Sequence, residues 1–344
     1  MFRFVILALL VGAQPGGTLL YAGLVFNFLP DPGTPQYVVE GFMQAANRWS
    51  AVLTDDITVN LSIGFLPLPA GVLGDTSAPY FEASYASVGA ALHASSTSAD
   101  DFSAYANLQP GPSYTRLINH TADHPNGANS ALTYADSLSP VFLTRANAKA
   151  LQLLGPDLAT DGGIRFNSNL GFDFNPADGT TPGQFDFATV AAHEIGHILG
   201  FVSIVDDLEA SNGTGLAAQL PATVLDLFRF SIASLALGPG VVDVAADGRD
   251  KYFSVDGGAS AVAQFATGAV YGSGYQARHW KEFTFSGLMD PMSFTGLQRQ
   301  IGNRDLRALD VIGYTRAGVP EPGSAVLLML GGLLWRYGFR RGRG

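Results

Sequence analysis

Phe187-Ala-Thr-Val-Ala-Ala-His193-Glu194-Ile195-Gly196-His197-Ile198-Leu199-Gly200 is the stretch on which the reading of this chain turns. Asp186 in front of it is a capping residue and Gly200 behind it a stop signal, so 187–199 is expected as one helix. Val190, Ala191, Ile195, Ile198 and Leu199 make that helix apolar, as a buried one must be. A spacing of four puts His193 and His197 on one face, one turn apart. Two imidazoles so placed can ligate a single Zn²⁺. Glu194 falls on the neighbouring edge, within reach of a water held there. A carboxylate in that position can take a proton from the water and pass it to a leaving amine.

His193-Glu194-Ile-Gly-His197-Ile-Leu-Gly200 resembles the metzincin motif HExxHxxGxxH. In that clan the glycine lets the chain turn sharply, so that a third ligand three residues on reaches the metal. Here that position is Ser203, a poor zinc ligand. Leishmanolysin-like metzincins place an insertion after the glycine and supply their third histidine far downstream. The matching stretch is His279-Trp280-Lys-Glu282-Phe-Thr-Phe-Ser-Gly-Leu288-Met289-Asp-Pro-Met292. The resemblance implies His193, His197 and His279 as zinc ligands, Glu194 as the catalytic base, and Met289 in a turn forming a packing floor under the histidines. Asp206, Asp207, Glu209 and Glu282 remain rival third ligands, Glu282 being the one a gluzincin-type arrangement would favour.

The fold class this implies is α/β (α+β), a metzincin-like catalytic domain with a mixed twisted sheet. Residues 23–200 would form an upper subdomain with a helix over 37–52 and the zinc helix. Residues 201–318 would form an irregular lower subdomain carrying His279, the Met-turn and a last helix over 303–312. Val38, Phe42, Ala45, Ala46, Trp49 and Leu53 carry the helical period, and Ile57-Thr-Val-Asn-Leu-Ser-Ile-Gly-Phe65 alternates as a half-buried strand. Residues 23–28 read as a strand, 67–79 as a loop, and 84–93 and 99–106 as short helices. Residues 164–167 and 171–175 read as a hairpin, the expected edge for an extended peptide substrate to pair with. Residues 201–278 read as loop-rich, with one helical piece near Leu225. The implied activity is that of a zinc endopeptidase. The competing reading is a non-catalytic, zinc-containing surface or exopolysaccharide-associated protein of the same fold, against which the intact Glu194 counts.

The chain has six histidines. His120 and His124 are four apart but sit among Asn119, Asp123, Pro125 and Asn126, and are expected as surface loop residues. His93 reads as an ordinary helix residue. Asp161, Asp173, Asn175 and Asp178 offer oxygen donors for a structural Ca²⁺, or ordinary turn chemistry.

Composition narrows the rest. There is no cysteine, so disulfides, thiol catalysis and thiolate-bound zinc are excluded. A net charge of -10 argues against nucleic acid, which needs a basic surface. Only 14% of residues are charged, but 23 Phe, 12 Tyr and 3 Trp supply a packed core rather than a disordered chain.

Both ends look like processing signals. Arg3 followed by Phe4-Val-Ile-Leu-Ala-Leu-Leu-Val11 reads as a secretory leader over 1–22, cut after Ala13 or Ala22. Cleavage after Ala22 leaves Gly23 at the start of the first strand. At the other end, Val319-Pro-Glu-Pro322 precedes an apolar run to Trp335, then Arg336, Arg340, Arg341 and Arg343. This resembles the PEP-CTERM sorting signal of Gram-negative bacteria, residues 319–344. It implies a transient membrane helix, an exosortase-type processing partner, and delivery to the cell envelope or extracellular matrix. The two ends carry five arginines and one glutamate, so removing them leaves a more acidic protein.

Overall fold

The computed structural model describes residues 23–211 and 220–318. The segments read from sequence as a leader (1–22) and a sorting signal (319–344) lie outside the described residues. Among the described residues no helix is long and apolar enough to cross a membrane.

The first unit is strand, helix, strand. Strand β1 (Val25–Pro30) leads through helix α1 (Gln36–Ser50) to β2 (Thr58–Leu66), which runs parallel to β1 with Thr58 opposite Val25. Parallel neighbours need a crossover, and α1 supplies it. The apolar residues of α1 recur every three or four positions, and Val38, Phe42, Ala45, Ala46 and Trp49 are all buried.

The chain then forms β3 (Gly74–Ser77), β4 (Tyr80–Ser84), α2 (Tyr85–Ala94), α3 (Ala99–Ala106), β5 (Tyr114–Ile118), β6 (Tyr134–Leu138), β7 (Pro140–Thr144) and α4 (Arg145–Ala150). Next come β8 (Gly162–Asn167), β9 (Phe172–Asp173), β10 (Phe185–Asp186), α5 (Phe187–Ile198) and α6 (Ile204–Ser211). The last part holds β11 (Arg229–Phe230), α7 (Ile232–Leu235), β12 (Val242–Asp243), β13 (Lys251–Phe253), β14 (Ala263–Phe265) and α8 (Asn303–Val311). The fold is mixed α and β, built on one four-stranded sheet and several smaller ones.

The main sheet has the order β1-β2-β8-β3. The first three strands are parallel, and β3 closes the row antiparallel to β8. Helices α1 and α5 pack against each other. Phe42, Phe166 and Phe187 meet at ring separations of 5.1–5.3 Å, so α1, β8 and α5 share one aromatic core. The Trp49 indole donates to the carbonyl of Ala192 at 2.8 Å, tying α1 to the middle of α5.

Several expectations are corrected here. Residues 164–175 are not a hairpin: β8 is an interior strand between β2 and β3, and β9 pairs with β10. Ile164 and Phe166 are buried on one face of β8, while Arg165 between them turns to the other face and pairs with Asp31 at 2.9 Å. The sheet's two edge strands are β1 and β3, and β3 lies inside the segment read as a loop. Gly74-Asp-Thr-Ser77 has no apolar alternation, because its neighbour β8 does the burying. Residues 201–278 hold a 3₁₀ turn at Leu225–Phe228 as expected. They also hold α6, α7 and four strands of two or three residues, too short for any period to show.

Candidate metal centre

Helix α5 begins where its capping signal placed it. The Asp186 carboxylate accepts the N–H of Thr189 at 2.7 Å, and Arg48 of α1 lies 3.6 Å from the same carboxylate. The helix ends before Gly200, whose φ of +118° lies in the region that side chains avoid. The chain turns back there, and Phe201 presents its carbonyl to the helix it has just left.

The turn matters for His197. Its Nδ1 lies 2.7 Å from the Phe201 carbonyl oxygen. His193 Nδ1 lies 2.8 Å from the carbonyl of Leu288, and His279 Nδ1 lies 3.1 Å from that of Gln276. Carbonyl oxygens only accept, so each ring carries its proton on Nδ1 and leaves a lone pair on Nε2. These lone pairs point at one another. His193 Nε2 lies 3.1 Å from His279 Nε2 and 3.2 Å from His197 Nε2. Three facing lone pairs repel unless a cation sits between them. Tetrahedral zinc at 2.0–2.1 Å from each nitrogen would set them about 3.3 Å apart, which these two separations suit. Burial, with the neighbouring imidazoles and Arg278 adding to it, pushes the pKa of His197 and His279 well below that of an ordinary histidine. Both rings are therefore neutral and ready to ligate at neutral pH.

Among the described residues, the group close enough to share a metal ion is His193, His197 and His279. The rival carboxylates have other employment. Asp206 accepts the backbone N–H groups of Ala277 and Arg278, so it shapes the loop that delivers His279. Asp207 accepts the hydroxyl of Tyr80. Glu209 accepts the N–H groups of Ala269, Val270 and Tyr271. Ser203 donates to Asp226 at 2.7 Å. Glu282 stands outside the histidine group.

The floor of the site is built from Leu288 and Met289. A Cβ added to Gly196 would stand 2.5 Å from the Met289 sulfur, so the methionine lies directly on the helix between the two histidine turns. The Trp280 N–H donates to the Met289 carbonyl at 3.0 Å, linking this turn to the residue after His279. One carboxylate holds these pieces together. Asp305, at the start of α8, is fully buried and accepts four N–H groups. They come from Gly302 (2.6 Å), Leu288 (2.7 Å), Met289 (3.2 Å) and the Trp280 indole (2.7 Å). Sequence reading missed it, because an acid in the first turn of a helix reads as an ordinary dipole partner.

Glu194 is half-buried beside the histidines and accepts the hydroxyl of Thr76 at 2.5 Å. Thr76 lies on β3, so one of the sheet's two edges runs alongside the site. A cavity of about 190 Å³ opens there, lined by Leu73 and Gly74, by Thr189 and Val190 of α5, and by Pro291 and Met292 beyond the turn.

The other candidates do not form sites. His120 and His124 are buried rather than on the surface. His120 stacks on Tyr271 at 3.7 Å, and His124 Nε2 bonds the Leu132 carbonyl at 2.6 Å, so both pin a loop. The calcium set does not assemble either. Asp173 spends its oxygens on Asn175 and Thr181, and Asp161 pairs with Lys149 at 2.6 Å.

In comparisons with known proteins, no family model matches this chain, and no curated protein or solved structure matches it.

Proposed function

We propose that this chain is a zinc-dependent endopeptidase of metzincin type, exported and sorted to the cell surface or its matrix. The observation that carries the reading is the convergence of three Nε2 lone pairs beside a carboxylate, on the margin of a free strand edge. Three nitrogens and no thiolate suit an ion that keeps a fourth position open for catalysis, rather than a closed structural site. Zinc held there supplies Lewis acidity and the means to activate water at neutral pH.

The protein's own groups do the rest. Leu288, Phe201 and Gln276 fix the three tautomers through their carbonyls. Glu194 takes the proton of the attacking water and returns it to the departing amine. An extended peptide lies along β3 by main-chain hydrogen bonds, which corrects the edge expected from sequence. Its side chain next to the scissile bond enters the cavity between α5 and Pro291-Met292. The apolar leader and the Pro-Glu-Pro segment with its basic tail support export and surface sorting.

The test is direct. Purified residues 23–319 should contain about one zinc per chain and cleave casein, and a chelator should stop cleavage reversibly. Glu194→Gln should keep its zinc and lose at least about 100-fold in kcat. Zinc at full occupancy without cleavage of any protein or peptide would instead favour the non-catalytic surface protein.

A further inference from the structure

Thr76 carries no known motif, yet its hydroxyl reaches the one carboxylate the proposed reaction depends on. Its Oγ1 lies 2.5 Å from Glu194 Oε2, across 118 residues of sequence. The contact follows from the fold. Thr76 sits opposite Ile164 in the antiparallel pairing of β3 with β8, and Gly74 shares its face. A Cβ on Gly74 would stand 2.4 Å from the ring of Phe166. That face is therefore pressed close against the interior, and Thr76 stands over the exposed edge of α5. A glutamate on an open helix edge would otherwise sample several rotamers.

We propose that Thr76 is a positioning residue for Glu194, an assignment that rests on the peptidase reading above. The hydroxyl donates to Oε2 and occupies it. Oε1 is left as the oxygen that receives the proton from water. The hydroxyl hydrogen stays on Thr76 throughout, so the proton balance of hydrolysis is unchanged: one proton moves from water to Oε1, then from Oε1 to the amine. The same strand that carries the hydroxyl offers its free edge to substrate. Pairing of a peptide with β3 then steadies the anchor of the base, and binding and positioning are coupled through one strand.

Two variants and two readouts test this in the full-length chain. Thr76→Val keeps the shape and removes the donor; Thr76→Ser keeps the donor. Losing a hydrogen bond to a charged partner, together with the geometry it holds, should lower kcat about 10- to 100-fold in Thr76→Val. KM and zinc content should change less than about twofold, and Thr76→Ser should recover most of the loss. An unaltered kcat in Thr76→Val, or a Thr76→Ser variant as slow as the valine one, overturns the assignment.

The second readout needs neither zinc nor turnover. The chain has six glutamates, so ¹³C-carboxyl labelling gives six resonances, and Glu194→Gln identifies one of them. In the zinc-free protein, Thr76→Val should shift that resonance and leave the other five in place. A stationary Glu194 signal sinks the Thr76 contact even if the protein is a protease. A shifted signal in a protein that cleaves nothing keeps the contact and removes the peptidase reading instead.

Discussion

Single residues carry most of the chemistry, and their legibility varies with how local their partners are. His193 and His197 are one helical turn apart, so the helix period alone brings them together. Their third partner arrives from 82 residues beyond His197, and only the pattern around Trp280 and Met289 points to it. The structure adds a criterion that sequence lacks: Asp206, Asp207 and Glu209 are already bonded to backbone N–H groups or a tyrosine. His279→Ala should therefore weaken zinc binding by more than about 100-fold in a competition with a chelator of known affinity. Asp207→Asn should leave the affinity within about twofold. Asp206→Asn should have an intermediate effect, because it loosens the loop before His279 without removing a ligand. Equal affinity in His279→Ala and the parent chain would remove the third ligand from the assignment. Thr76 could not have been found from sequence, since a threonine in a short polar segment is what a loop also looks like.

Elements decide whether those residues hold their places. The turn at Leu288-Met289 is not stabilised by local bonds alone; it hangs on Asp305 at the start of α8. Asp305→Asn replaces an acceptor oxygen by an amide that faces N–H groups. Removing charged hydrogen bonds in a buried setting costs about 3 kcal/mol. We expect a lower urea midpoint, and a zinc affinity reduced about 10- to 100-fold because Leu288 no longer orients His193. A second carboxylate at the far end of the same helix responds to pH. Ser98 of the α3 cap donates to Asp310 at 2.7 Å, while Arg316 stands 4.0 Å away. Burial, and then the charge of Asp101, raise the Asp310 pKa from 3.8 to about 7. Burial likewise raises Asp55 to about 6. A raised acid holds its proton more tightly in the folded state than in the unfolded one. Stability is therefore highest below about pH 4 for these groups, and falls as pH rises to about 7. His197 and His279, held neutral by burial, act in the opposite sense below about pH 6.5, so the comparison is between chains that share them. The urea midpoint of the parent relative to Asp310→Asn should rise on going from pH 8 to pH 5, and a gap that does not change with pH would remove Asp310 from the assignment. The acids whose pKa is lowered by their bonding, such as Asp157 and Asp173, titrate below this window and do not mask it.

At the scale of the whole molecule, α1 and α5 were readable because 15 or 12 residues give a period room to show itself. The small strands after Gly200 were not, since two residues have no period and their place depends on partners far along the chain. The end of the described chain returns to the beginning. Thr54 donates to the Thr315 carbonyl at 2.9 Å, and Ala317 donates to that of Val52 at 2.8 Å. Asp55 accepts the N–H of Thr315 as well. The described unit is thus stitched shut by residues 315–317, immediately before the Pro-Glu-Pro segment. All four proposed site residues, His193, Glu194, His197 and His279, precede that seam. Deleting residues 319–344 should therefore leave zinc content, melting temperature and casein cleavage unchanged. If the apolar run and its arginines are the address proposed above, the same deletion should move the protein from the cell envelope to the medium. Extending the deletion to residue 314 should behave differently. It removes the bonds to Val52, Thr54 and Asp55, and should lower the melting temperature by several degrees. A chain ending at 318 that is inactive or unfolded would show that residues 319–344 belong to the folded core, and would end their reading as a detachable signal.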